Sequence, residues 1–87
     1  MKYGYIAFGK LKQDIFTGEN INKAMDAVKK VAEKHEVKIK MYGHPYGVSE
    51  NFVVVYASDK GLDNFQSFSS EANLQWTDVR THQVIAP

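Results

Sequence analysis

The sequence contains no cysteine. That excludes disulfides, thiolate metal sites and a cysteine nucleophile, and with them any sign of an oxidising compartment. A long apolar run is missing too. The amino-terminal stretch MKYGYIAFGKLKQD holds a short apolar patch broken by glycine and lysine, which is neither a signal-peptide core nor a membrane span. Neither sign of charge dominates: eleven Lys and Arg against ten Asp and Glu leave a net charge of +1. A phosphate backbone would call for a basic excess, so nucleic acid is not an expected partner. No Pro/Gly/Ser linker, low-complexity tract or internal repeat divides the chain, and residues 1–87 read as a single domain. The expectation is a soluble, cytoplasmic protein with no membrane attachment.

A chain of 87 residues is small. Domains of that order bury only about 60% of the surface their unfolded chains expose, so the core is marginal unless something supplements it. With disulfides and thiolate metals excluded, oligomerisation remains.

The hydrophobic pattern divides the chain into six elements. Lys2 to Phe8 is apolar or aromatic on both parities, as in a central strand, with Gly4 and Gly9 weakening it or marking a bulge. From Asn20 to Glu36, the residues Ile21, Ala24, Met25, Val28, Val31 and Ala32 recur at spacings of three and four, which predicts an amphipathic helix with Asn20 as N-cap. Val37 to Tyr42 alternates apolar residues with lysine and reads as a strand with one covered face. Asn51 to Ala57 reads as a second doubly apolar strand. Leu62, Phe65 and Phe68 mark a short helix from Leu62 to Ser69, with Ser58 and Asp59 as candidate caps. Thr77 to Ala86 alternates again and closes the chain as a strand. The order β-α-β-β-α-β defines an α+β ferredoxin-like sandwich whose four-stranded antiparallel sheet carries the first and third strands in the middle.

Two helices cover one face of such a sheet. Either Tyr3, Tyr5 and Ala7 or Ile6 and Phe8 must then line the other face, together with Phe52, Val54 and Tyr56 or with Val53, Val55 and Ala57. An apolar strip of that size is unusual on a monomer, and the same surface of a second copy covers it through an isologous contact. Burial of roughly 1,500 Å² would place the contact among stable specific interfaces. A homodimer is expected.

The amphipathic helix leading to VKIKMYG, the glycine-containing turn before ENFVVVYASDKGLDNFQSF and the last strand TDVRTHQVI resemble the dimeric α/β-barrel superfamily, most closely the small GYD-domain proteins. The resemblance implies two four-stranded sheets packed into a barrel. The superfamily includes cofactor-independent monooxygenases, small isomerases, haem-binding enzymes and groups with no known activity. The tripeptide naming the GYD group is not intact here, since Gly47, Val48 and Ser49 stand near its place and Glu50 follows. No catalytic residue is carried over.

Two clusters carry chemistry. Gly43 to Glu50 is a long hairpin connection in which Pro45 stiffens the backbone between His44 and Tyr46. His44 could serve as general base or ligand contact, Tyr46 as hydroxyl donor and Glu50 as carboxylate partner, or the loop could be a shaped turn with a solvated histidine. In the last strand Asp78, Arg80 and His82 share a side by alternation. Facing a lumen they could hold a small anion, with Arg80 as a bidentate fork; facing solvent they would discourage further strand pairing. Tyr5, Tyr42, His44, Tyr46, Arg80 and His82 are therefore the candidate ligand-binding residues, and His44 and His82 the candidate catalytic bases. Trp76 is expected against the second helix or the dimer partner.

Other classes lack their residues. An RNA-recognition strand needs a basic-aromatic signature, and ENFVVVY begins acidic without its glycines. His35, His44 and His82 show no zinc spacing, and His35 near a helix end suits the helix dipole. Gly9 and Gly18 lie too far apart for a phosphate loop. No metal or cofactor is expected. The reading that results is a homodimeric barrel binding a small organic ligand; the alternative is a cofactor-independent monooxygenase or isomerase of an aromatic or enolisable substrate.

Overall fold

The computed structural model describes residues 1–12, 15 and 18–87. Its elements are β1 (Tyr3–Leu11), α1 (Glu19–Lys34), β2 (Lys38–Gly43), β3 (Phe52–Ser58), α2 (Leu62–Ala72) and β4 (Trp76–Ile85). The strands form an antiparallel sheet in the order β2-β3-β1-β4, so the two doubly apolar strands are central as expected.

The helices cover one face. Met25, Val28 and Ala32 of α1 and Phe65 and Phe68 of α2 are buried against Tyr5, Ala7, Leu11, Phe52, Val54 and Tyr56 of the sheet. Tyr5 stacks on Phe65 with centroids 4.1 Å apart and planes within 9°, and Tyr56 meets Phe65 and Phe68 edge to face at 5.2 Å. Each such burial is worth about 1.5–3 kcal/mol, and the aromatic pairings about 0.5–1.5 kcal/mol more. The odd residues of β1 and the even residues of β3 therefore belong to the core, while Ile6, Phe8, Val53 and Val55 face the other way.

Several ends depart from the pattern. β1 runs past Phe8 to Leu11, and α2 continues past Ser69 to Ala72, where Asn73 turns left-handed at φ 52°. Within α2, Ser67 and Ser70 donate their hydroxyls to the carbonyls of Asp63 and Gln66, one turn back. Asn20 is not the cap of α1: the helix begins at Glu19, with Gly18 in the cap position. Ser58 and Asp59 do not cap α2 either, since Gly61 holds that place. Ser58 is fully buried, donating to the Glu36 carbonyl and accepting from Lys60 N–H, and Asp59 accepts from Lys2 N–H. At the other end of α1 a Schellman pair closes the helix: Val37 N–H donates to Ala32 O and Glu36 N–H to Glu33 O, with Glu36 at φ 57°.

Two bulges break the alternation of the outer strands. In β2 the register slips at Lys40, so Lys38 and Met41 share the open face while Ile39 and Tyr42 share the covered one. In β4 the slip falls at Asp78 and Val79, with Asp78 at φ 54°. Thr77, opposite Lys10, is thereby in step with Arg80 and His82 in place of Asp78. Trp76 packs at Gly9, where an added Cβ would lie 2.5 Å from its ring, and meets Phe52 edge-on at 5.9 Å.

Candidate functional site

The open face is a grid that the strand registers fix. One cross-strand row reads Met41, Val55, Ile6, His82; the next reads Gly43, Val53, Phe8, Arg80; a third reads Lys38, Ala57, Gly4, Val84. The centre is apolar; Lys38 stands at the β2 edge, and Arg80 and His82 at the β4 edge.

At that edge Arg80 is held on three sides. Its Nε and Nη2 donate to the two carboxylate oxygens of Glu50, at 2.5 and 3.3 Å. Its guanidinium lies 4.4 Å above the Phe8 ring centroid, and its Nη1 is 2.9 Å from His82 Nε2. His82 meets Phe8 edge to face at 6.2 Å. Glu50 is 9% exposed, an unusual place for a carboxylate unless it is paired. The bond from Arg80 holds its pKa below the ordinary value, helped by a backbone N–H, and the same bond raises that of Arg80. Asn51, next in the chain, ties the hairpin end to β1 through Leu11 and so fixes where Glu50 enters.

The other candidates are dispersed. Tyr5 has no exposed surface; it lies in the covered core, its hydroxyl donating to Lys60 O and accepting from Gln83 Nε2. Tyr42 is on the covered side of the sheet, where its hydroxyl donates to Asn22 Oδ1 at 2.7 Å and it helps line a groove of about 430 Å³ between α1 and β2. His44 and Tyr46 are exposed on the β2–β3 connection, Tyr46 entirely so. Arg80 and His82 are thus the two candidates that the fold brings together. Glu50 joins them from the hairpin: it was recognisable as a carboxylate, but its partner is Arg80, thirty residues away, not His44 or Tyr46. Phe8 was recognisable as apolar only. Burial raises the pKa of Tyr56 and so favours its neutral form on the covered face.

Element order, sheet order and one-sided helix packing define a ferredoxin-like α+β fold. Among solved structures the chain is similar to a dimeric ferredoxin-like protein of unknown function from Thermobifida fusca, with TM-score 0.61 and 21% identity over 99% of this chain and 92% of that one. A protein of Streptomyces coelicolor A3(2) matches with TM-score 0.64 and 10% identity, over 90% and 91% of the two chains. A chain from the complex of the chemotaxis kinase CheA P2 domain with the response regulator CheY of Thermotoga maritima matches with TM-score 0.58 and 17% identity, over 95% and 98%. No family model matches the sequence, and no curated protein does. Among the described residues no helix is long and apolar enough to cross a membrane.

Proposed function

We propose that this chain forms a homodimer through the open face of its sheet, and that the space enclosed between the two sheets holds a small organic ligand. The observation that carries the reading is the apolar grid itself: Ile6, Phe8, Val53 and Val55 are half-buried with no helix above them, and Met41 and Val84 beside them are 65% and 51% exposed. Four strands about 4.8 Å apart and some six residues long present roughly 400 Å² of face, the size at which an apolar patch on a monomer is usually functional. Two such faces with their flanking hairpins approach the ~1,000 Å² that a specific interface needs. A second copy is the occupant that fits, because a two-fold axis turns one apolar centre to face the other across the enclosed space. The Thermobifida fusca protein, described as dimeric, supports this choice. Kinship with the small GYD-domain members of the dimeric α/β-barrel proteins belongs to the same proposal and rests on element order and the glycine-containing hairpin.

Light scattering across a dilution series tests it. The wild type should weigh twice the 9.9 kDa of one chain, and Ile6→Glu should weigh 9.9 kDa while keeping its circular dichroism, because Ile6 lies outside the helix-covered core. A wild type that stays at 9.9 kDa at every concentration overturns the assembly.

A further inference from the structure

We propose that Arg80 and His82 form a docking site for the carboxylate of a small apolar acid; this rests on the paired-sheet assembly above and names the class of ligand enclosed there. Arginine carries five N–H donors and no acceptor. Three are engaged, two by Glu50 and one by His82 Nε2. Among the described residues, two N–H groups remain without a partner. Because the guanidinium can only donate, His82 Nε2 is the acceptor in this contact. The further donors of the cluster are those of Arg80, and His82 holds its Nη1 in place.

Its acceptors are turned away. Each Glu50 oxygen faces the guanidinium, and the Glu50 side chain is 8% exposed while that of Arg80 is 45% exposed. A ligand reaches the donor and not the counter-charge. The guanidinium plane is fixed between Phe8 and Glu50, so little of its side-chain freedom is left to lose on binding. Beside it run Ile6, Val55 and Met41, an apolar floor for the body of the ligand. Polar contacts at one end and apolar contacts along the rest match an acid with a small hydrocarbon or aromatic body.

Benzoate is the probe and benzamide, of the same shape without charge, its control. Side-chain ¹⁵N resonances of Arg80 and His82 are followed during titration of wild type, Arg80→Lys and His82→Gln, with the mass of each sample read by light scattering. The expected result is a saturable shift with benzoate, at least about tenfold weaker binding of benzamide, and a loss of about tenfold in Arg80→Lys, which keeps the charge and loses the fork. Equal binding of the two probes, or no saturable shift that depends on Arg80, overturns the carboxylate site whatever the mass. A monomeric wild type overturns the assembly alone, so the two failures are read separately.

Discussion

Asn51 and Leu11 reproduce a β-bridge with a side chain: Leu11 N–H donates to Asn51 Oδ1 at 2.8 Å, and Asn51 Nδ2 donates to the Leu11 carbonyl at 2.9 Å. The carboxamide takes the place of one more paired residue beyond Phe52. It carries β1 past Gly9 and sets the hairpin end that delivers Glu50 to Arg80.

Asn51→Ala removes both bonds from a partly buried backbone, and at about 0.5–1.5 kcal/mol for each the variant should lose about 1–3 kcal/mol in urea unfolding. Hydrogen exchange should accelerate at the Leu11 amide above all. Protection at Leu11 equal to wild type would show that the bridge does not hold the strand end.

Gly9 is defined by its neighbour across the sheet. A Cβ there would stand 2.5 Å from Trp76 Cε3 and 2.8 Å from Cδ2, so Gly9→Ala must displace the indole. Overpacking of this kind costs about 1–3 kcal/mol. The chain has one tryptophan, so its fluorescence reports on this contact and should move toward the red as the ring leaves Phe52. An unchanged spectrum would place the indole elsewhere.

The Glu50 carboxylate gives stability a dependence on acid. Its pKa lies below the ordinary 4.5 in the folded chain because Arg80 bonds the charged form. Its contribution is therefore complete above the unfolded value and is lost as pH falls through the folded one. The stability difference between wild type and Glu50→Gln should be constant from about pH 6 upward and shrink at progressively lower pH. A difference independent of pH would mean that the pair does not bind its proton differently in the two states.

The elements were legible because their signals are local. Helical spacing from Ile21 to Ala32 placed α1, and alternation placed the outer strands, with bounds moved by three residues at most. The ends that moved were those set from afar. Leu11 ends β1 because of Asn51, forty residues on, and Ser58 is occupied by Glu36 and Lys60, not by a helix start. The bulges at Lys40 and Asp78 left no mark in composition, so alternation put Tyr42 beside Lys38 and Asp78 beside Arg80, and the registers part both pairs.

By itself the sequence determined the order of the six elements, which strands are central, and that one apolar sheet face lies beyond the reach of two helices. Those follow from hydrophobic periodicity, which acts over a few residues. The tertiary structure alone decided which face that is. Both parities of Tyr3–Leu11 and of Phe52–Ala57 are apolar, so alternation is silent there, and the choice falls to packing. Tyr5 and Tyr56 find Phe65 and Phe68 on the helix side, which leaves Ile6, Phe8, Val53 and Val55 on the open face. Arg80, His82 and Glu50 meet there because strand register brings together residues that the chain keeps thirty apart.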